Sequence, residues 1–375
     1  MTDPAVGPPL PAVAGAPDAA ARAAARALFH PAPRSIYLDT ATYGLPPDPT
    51  VAAMGEAIAA WQAGTARWKD DWDEPLEEVP GLFADLVGAP RGTIARIPQA
   101  SVGTGLVAAA LGPADEVVVP DDEFTSTLYP LLVAERRGAR IRQVPLDGLA
   151  DAIGPRTTLV ATSIVQMQTG RMADLPAVLD RAEAVGARVL LDGTQAIPFV
   201  PLATHLPRID YLVCSGYKHL LCPRGASFLY VRRERWDELE PLNANWRAAD
   251  LPFGRYFGGP LHLAPDAARF DVSLGWITWM GAMASLRLLV AWQRQGLLAG
   301  VVALARDLAA QAGVPHAGAT LVSVPTPDPV AAGVALGSAG VKAALRGTGI
   351  RFAPHVWTTD AEIAVAAAAI APFRG

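Results

Sequence analysis

Short apolar runs alternate with helical stretches through the middle of the chain. Each run is bounded by turn or polar residues, which is typical of a strand buried between helices. Helical spacing appears between the runs, near Leu106–Leu111, Ser126–Arg137 and Leu175–Val185. This alternation predicts an α/β fold with a mostly parallel seven-stranded sheet between helices. The predicted strands are Thr93–Pro98, Glu116–Pro120, Arg140–Val144, Thr158–Ser163, Arg188–Leu191, Tyr211–Cys214 and Ala226–Val231.

The strand pattern fades after Trp236, and helical spacing returns towards the C-terminus. Trp276–Gln293 is a long apolar helical stretch, Leu298–Ala312 is a second, and short strand and helix patterns follow them. We therefore predict a large domain over residues 35–284 and a smaller α+β domain over residues 285–375. Residues 1–34 are predicted to be a flexible tail followed by an alanine-rich helix.

Two neighbouring predicted strands lead into residues with distinctive chemistry. One strand leads to Asp192 and Gln195, and the next leads to Ser215 and Lys218. The carboxyl ends of parallel strands meet at one edge of a sheet, where ligands bind. A lysine can form a Schiff base with the aldehyde of pyridoxal phosphate, and a carboxylate can hold its pyridine nitrogen protonated. The chain contains three lysines, and only Lys218 directly follows a predicted buried strand.

Composition excludes several classes of partner. The chain has 375 residues, of which 51% are hydrophobic and 18% charged, with a formal net charge of −5. It has no basic cluster or nucleic-acid motif, so no nucleic-acid partner is predicted. It has no apolar run of the roughly 18 residues that a membrane helix needs, so no membrane association is predicted. The two cysteines, Cys214 and Cys222, are read as reduced thiols, which favours a cytoplasmic protein.

A second motif supports a different interpretation. The segment Gly103–Ala108 fits the dinucleotide pattern G-x-G-x-x-A, and Asp121 and Asp122 follow the next predicted strand, where a ribose contact would lie. The preceding residues Gln99–Val102 offer instead a helix N-terminus and a serine hydroxyl for a single phosphate. We favour the single phosphate, because glycine and alanine are abundant in this chain and produce chance matches.

Several segments, in the same order, resemble the class V aminotransferases, the fold-type-I pyridoxal phosphate enzymes that include cysteine desulfurases, isopenicillin N epimerase-like proteins and kynureninase. The resemblance runs from Tyr37 to the C-terminus. It rests on YLDTATYGLPP, PQASVGTG, EFTSTLYP, SIVQMQTG, DGTQ, SGYKHLLCPRG, YFGGPLHLAPDAARFD and IRFAPHVWTTDAEI. It implies fold type I, pyridoxal 5′-phosphate as the cofactor and Lys218 as the catalytic Schiff-base lysine. The other cofactor-binding residues that it implies are Ser101, Val102, Phe124, Gln166, Asp192, Gln195, Ser215, Tyr217, Gly258 and Gly259.

The same resemblance implies how substrate and partner are bound. Arg351 would hold the carboxylate of an amino-acid substrate, and Tyr43 and Tyr256 lie in the loops that would select it. The pair Gly258 and Gly259 would reach the phosphate of a neighbouring subunit, which implies a homodimer with shared active sites. No metal site is predicted.

The distribution of cysteines bears on the reaction. Cysteine desulfurases of this family use a cysteine on a mobile loop as the sulfur acceptor, and neither 241–275 nor 313–347 contains one. The sequence therefore disfavours a persulfide-forming desulfurase. We expect a C–S (β-elimination) lyase, or a related reaction at Cα/Cβ, acting on a cysteine conjugate or other non-standard amino acid in secondary metabolism. An aminotransferase, an epimerase and a non-catalytic regulator with this fold remain open.

Overall fold

The computed structural model describes residues 18–254 and 256–374, so most of the predicted tail, 1–17, lies outside the described residues. The strands are β1 (Ile36–Tyr37), β2 (Ile94–Ile97), β3 (Glu116–Pro120), β4 (Arg140–Val144), β5 (Thr157–Ser163), β6 (Arg188–Asp192), β7 (Tyr211–Ser215), β8 (Ser227–Val231), β9 (Val322–Pro325), β10 (Val341–Lys342), β11 (Ala344–Arg346) and β12 (Gly349–Phe352). The helices are α1 (Ala19–Arg26), α2 (Asp48–Ala63), α3 (Val79–Val87), α4 (Ala100–Ala109), α5 (Thr125–Glu135), α6 (Leu149–Ala152), α7 (Leu175–Val185), α8 (Trp276–Arg294), α9 (Leu297–Ala312), α10 (Pro329–Ser338) and α11 (Asp360–Ile370).

Seven strands form one sheet in the order β2-β8-β7-β6-β5-β3-β4. β8 runs antiparallel to both of its neighbours, and all other neighbouring pairs are parallel. This confirms the predicted mostly parallel seven-stranded sheet. Alternate residues of β3 belong to two separate apolar cores, Val117 and Val119 on one face and Val118 on the other. The sheet is therefore covered on both faces, which explains why its strands are short apolar runs.

The segment of the dinucleotide motif is part of a regular helix. Gly103 and Gly105 lie inside α4 and not in the turn that precedes it. A Cβ on Gly103 would lie 2.7 Å from Val213 and 2.9 Å from Ile97, so this glycine lets α4 approach β2 and β7 closely. The dinucleotide interpretation is wrong here, because amides inside a helix are bonded within it and cannot hold a pyrophosphate.

A smaller antiparallel sheet with the order β11-β12-β9 lies near the C-terminus. It shares an apolar core with α9, α10 and α11, and Leu38 from the N-terminal part of the chain joins that core. β1 also pairs in parallel with β10, so residues from both ends of the chain build this region. We keep the division into 35–284 and 285–375 as a proposal, with β1 and Leu38 packing on the smaller part.

The two longest helices near the C-terminus pack on different parts of the molecule. α8 packs against α2 and α3, whereas α9 packs against α11 and β9. Gly296 adopts a left-handed conformation with φ of 73° and turns the chain between them. Among the described helices, none is by itself long and apolar enough to cross a bilayer, and α8 and α9 reach that length only as a pair bent by 80°.

Candidate active site

Polar side chains gather where three parallel strands end. The register places Ser163 of β5 beside Asp192 of β6, and β7 ends next to them. The Asp192 carboxylate accepts the Thr194 amide at 2.7 Å and the Thr127 hydroxyl at 3.4 Å. Burial raises the pKa of Asp192, and the nearby charge of Lys218 opposes that rise. The site therefore holds a buried carboxyl group that a cationic ligand would ionise.

Lys218 follows β7 and projects into the same cleft. Its side chain is 5% exposed, and Nζ lies 5.3 Å from the ring centroid of Phe124 and 5.7 Å from that of Tyr217. Within 18–254 and 256–374, Nζ has no hydrogen-bond partner and no carboxylate within 4.0 Å. Burial, opposed by the charge of Asp192 and reinforced by those of Arg351 and Arg346, lowers the pKa of Lys218 to about 8. Lys218 is therefore a buried amine that readily becomes neutral.

The amide of Gln195 has a defined orientation. Its Nε2 donates to the Ala41 carbonyl at 3.1 Å, and its Oε1 lies 2.9 Å from Nε2 of His219. Burial lowers the pKa of His219 well below its usual range, so the ring is neutral and donates through Nε2 in this bond. One N–H of the Gln195 amide is left for a ligand. His219 was not predicted, although it directly follows Lys218 in the sequence.

The predicted phosphate segment forms the first turn of α4. Ala100 lines the cleft around Lys218, and Ser101 and Val102 follow it in the same turn. The first amides of a helix favour an anion. The Val102 amide donates to the Gln99 carbonyl at 3.0 Å, so the contact of Ser101 and Val102 with a phosphate stays a prediction. Ser126, near the start of α5, lines the cleft as well and was missed by the sequence analysis, because serine is common at helix starts for other reasons.

Ser215 and Tyr217 border the cleft on the β7 side. The Ser215 amide donates to the Thr194 hydroxyl at 3.0 Å, which ties the end of β7 to the loop after β6. The Arg224 guanidinium lies 5.2 Å from the Tyr217 ring centroid. This cation–π contact holds the ring at the edge of the cleft, next to Ser215.

A buried acid behind Phe124 was not foreseen. The Glu123 carboxyl accepts the Phe124 amide at 2.7 Å and the Ser163 amide at 2.6 Å. Burial raises the pKa of Glu123 to about 7. Glu123 therefore joins the loop that carries Phe124 to the end of β5. The only sequence signal was an acid directly before the predicted aromatic residue, and such a residue is usually exposed.

Gln166 braces the loop that follows β5. Its oxygen accepts the amides of Gln168 and Thr169 at 2.8 and 2.7 Å, and its nitrogen donates to the Asp122 carbonyl at 3.1 Å. Met167, next to it, lines the cleft around Lys218. The side chain of Gln166 thus orders the loop, and its contact with a cofactor stays a prediction.

Arg351 of β12 is fully buried and bonds to the backbone of Met167, which lines the cleft. Its Nη1 donates to the Met167 carbonyl at 2.8 Å, and its Nη2 donates to the Thr42 hydroxyl at 2.8 Å and lies 3.4 Å from the Asp39 carboxylate. Its Nε is buried and has no hydrogen-bond partner in the part of the chain that the structure describes. A fully buried guanidinium with a free N–H is a ready site for an anion.

Tyr43 follows Thr42, the residue whose hydroxyl Arg351 contacts. It is 42% exposed, and the Lys342 ammonium donates to its hydroxyl at 2.7 Å, which lowers the pKa of Tyr43. The next residue, Gly44, packs on the loop that carries Lys218. Its amide donates to the Tyr217 carbonyl at 2.9 Å, and a Cβ there would lie 2.3 Å from the Lys218 carbonyl oxygen. Tyr43 is therefore held close to the lysine loop.

Three predicted residues are not brought to this cleft. Tyr256 packs against Trp68 and Trp246, with ring centroids 6.0 and 5.7 Å away. Gly258 and Gly259 are exposed, and a Cβ on either would meet no atom of the described residues within 4 Å. Within one copy of the chain these residues lie apart from Lys218, so their predicted roles stay proposals that require a second copy.

Residues 36–246 match the sequence profile of the aminotransferase class-V family, which is more than half of the chain. The chain belongs to the aminotransferase class-V family. Among its curated relatives, a probable cysteine desulfurase of Aeropyrum pernix is 32% identical over 55% of this chain and 54% of its own length. Isopenicillin N epimerase of Streptomyces clavuligerus is 29% identical over 57% of this chain and 58% of its own length. The chain spans about half the length of the curated relatives it matches.

Solved structures share the fold of this class V chain. The cysteine desulfurase CsdA of Escherichia coli superposes with a TM-score of 0.76 at 21% identity, covering 93% of this chain and 97% of that one. The cystine C–S lyase C-DES, in complex with its product cysteine persulfide, superposes with a TM-score of 0.78 at 20% identity, covering 91% and 98%. These likenesses confirm the predicted fold, PLP-dependent fold type I.

The cofactor of this class V enzyme is pyridoxal 5′-phosphate, and the residues around the cleft fit it. Asp192 is a buried carboxyl group with no cation within 4.0 Å among the described residues. Its charge is therefore available to pair with a pyridinium nitrogen. Lys218 supplies a buried, unpartnered amine, and the Phe124 ring offers an aromatic face beside it. The first turn of α4 supplies amides for the phosphate.

Proposed function

We propose that this enzyme acts at Cα/Cβ of an amino acid as a C–S (β-elimination) lyase or through a related reaction. Its substrate would be a cysteine conjugate or another non-standard amino acid of secondary metabolism. The observation that carries the proposal is the buried Lys218 amine in the cleft, with the buried Arg351 guanidinium bonded to the carbonyl of Met167, a residue that lines the same cleft. Arg351 gives the substrate carboxylate a fixed place, and Lys218 is the base beside it.

Lys218, Asp192 and Gln195 have different roles in the proposed reaction. When bound, the cofactor withdraws electrons from the substrate α carbon and makes its C–H bond acidic. The neutral Lys218 amine is placed to take up that proton, and its lowered pKa keeps part of it neutral near pH 7. Asp192 would stabilise positive charge on the cofactor ring, and Gln195, oriented by His219, would offer an N–H to the cofactor.

The cysteines support a lyase over a desulfurase that carries a persulfide. Cys214 lies inside β7 and Cys222 follows the lysine loop, and both are buried. Burial raises the pKa of both thiols, so neither is an activated nucleophile. Sulfur leaving from Cβ would therefore depart as a free thiol. The similarity to an epimerase keeps epimerisation as the second candidate, and transamination as the third.

The proposal extends to assembly and location. A homodimer with shared sites is supported by Phe257, which is 96% exposed beside the predicted interface glycines Gly258 and Gly259. A cytoplasmic location is supported by two reduced cysteines. Analytical ultracentrifugation tests the dimer, and a species of monomer mass at micromolar concentration contradicts it.

Incubation of the purified holoenzyme with L-amino acids and S-substituted cysteines tests the reaction. Pyruvate and ammonia in equal amounts, together with a free thiol, support the proposal, and the Lys218→Ala variant is the matched control. A keto acid that forms only when a second keto acid is added indicates an aminotransferase. Loss of optical activity without a keto acid indicates an epimerase, and no change with any compound indicates a regulator.

A further inference from the structure

A second arginine, Arg346, lies beside the buried Arg351. Nη2 of Arg346 lies 3.3 Å from the same Thr42 hydroxyl that accepts Nη2 of Arg351 at 2.8 Å. Arg346 pairs in register with Gly349, which precedes Arg351 by two residues on β12. The two arginine side chains therefore lie on one face of the small sheet as diagonal neighbours. Gly349 has no side chain that could separate them.

The charge around Arg346 is not balanced. Within 18–254 and 256–374, no carboxylate lies within 4.0 Å of its guanidinium, and Nη1 donates to the Leu345 carbonyl at 2.9 Å. The carboxylate of the cluster, Asp39, accepts the Thr42 hydroxyl at 2.7 Å and pairs with Arg351 at 3.4 Å. Asp39 thus offsets the charge of Arg351 and leaves the charge of Arg346 without a counterion among the described residues. The charge of Arg346 also reaches the cleft, where it helps to lower the pKa of Lys218.

Space for a substrate side chain lies next to Arg346. A cavity of about 410 Å³ separates the loop 168–171 from the small sheet, and Arg346, Thr169 and Ser323 line it. Ser323 pairs in register with Arg351, so this wall of the cavity belongs to the face of the small sheet that carries both arginines. Arg346 therefore has contacts on two sides, since it shares the Thr42 hydroxyl with Arg351 and also lines the cavity.

We propose that Arg346 binds a second anionic group of the substrate, so that the enzyme selects α-amino acids whose side chains end in a carboxylate or a similar anion. The inference rests on the proposed function, in which Arg351 takes the α-carboxylate. Two guanidinium groups on one face recognise two anionic groups at fixed separation. A substrate with an uncharged side chain would leave the Arg346 guanidinium without an anionic partner.

An isosteric pair of cysteine conjugates tests this assignment. S-carboxymethyl-L-cysteine and S-carbamoylmethyl-L-cysteine differ by one oxygen and one NH₂ group, and the absorbance of the bound cofactor reports the Kd of each. The acid is expected to bind at least about tenfold more tightly, the range of a hydrogen-bonded charge. Arg346→Gln reduces this preference to within about twofold, with the Kd of the amide unchanged.

Arg181→Gln is the matched control. Arg181, like Arg346, donates to a backbone carbonyl, that of Ile153 at 3.2 Å, but it lies on α7. Its change leaves the preference intact, and an unaltered cofactor spectrum confirms that each variant folds. Equal Kd values for acid and amide, or a preference that survives Arg346→Gln, overturn the inference alone. No absorbance change with either compound contradicts the proposed function as well.

Discussion

The half of the cleft that faces the cofactor and the half that faces the substrate are built in different ways. The cofactor half consists of Asp192, Ser215 and Lys218, which lie at or just after the ends of adjacent strands. The substrate half brings Thr42 and Arg351 together through side-chain hydrogen bonds between segments far apart in the chain. A defect in the first half should remove the cofactor chemistry, whereas a defect in the second should change only which amino acid is accepted.

The largest expected effect is in the cofactor half. Lys218→Ala removes the amine that we propose carries the cofactor and serves as base, so turnover should fall by at least about 10³-fold. Lys69→Ala is the control, because Lys69 is an exposed lysine that pairs with Glu74. Its kcat should stay within about twofold of the parent. A steady-state assay that finds comparable losses for both lysines would break the comparison.

A smaller loss is expected when the buried acid is made neutral. Asp192→Asn keeps the shape of the side chain. It removes the negative charge that would stabilise a cationic ring nitrogen, so kcat should fall by about 10²-fold. Asp121→Asn is the control, since Asp121 is exposed after β3. If kcat of Asp192→Asn equals that of the control, Asp192 does not act on the cofactor.

The substrate half should respond differently. Arg351→Gln removes a buried guanidinium that contacts Thr42 and the Met167 carbonyl, and KM should rise by about 10- to 100-fold. The cofactor should stay bound, with its absorbance unchanged, because Arg351 is not tied to the strand ends. Loss of the cofactor from this variant would mean that cofactor binding depends on the substrate half, which contradicts the comparison.

A pH dependence sharpens the comparison. Only the neutral Lys218 amine attacks an aldehyde, and burial lowers its pKa to about 8. The rate of cofactor uptake by the apoenzyme should rise about tenfold per pH unit below 8 and level off above it. Arg351→Gln should move that midpoint upwards, because it removes a nearby positive charge. Stopped-flow absorbance follows the rate, and a plateau reached only near pH 10 would show an ordinary lysine.

The sequence predicted the mostly parallel sheet, and with it the strand ends of the cofactor half, for a physical reason. Short apolar runs that alternate with helices indicate parallel strands, and parallel strands deliver their following residues to one edge. Asp192 and Lys218 could therefore be placed from local patterns alone. Glu123 and His219 were missed because a charged or imidazole side chain in a loop is usually exposed, and their burial depends on packing between distant segments.

The substrate half could be predicted only in part. Arg351 was named from the family resemblance, but its contacts with Asp39, Thr42 and Met167 depend on how the small sheet meets two loops. Arg346 carried no signal, because an arginine in a strand of a small domain is usually a surface residue. The register with Gly349 places Arg346 on the same face of the small sheet as Arg351.

Reduction of the holoenzyme with borohydride, followed by peptide mass mapping, tests the central claim most directly. Borohydride fixes the cofactor to the lysine that holds it, and the chain offers Lys69, Lys218 and Lys342 as candidates. We predict one equivalent of cofactor on the peptide that contains Lys218. A cofactor adduct on either of the other two lysines, or none on the holoenzyme, would contradict the claim.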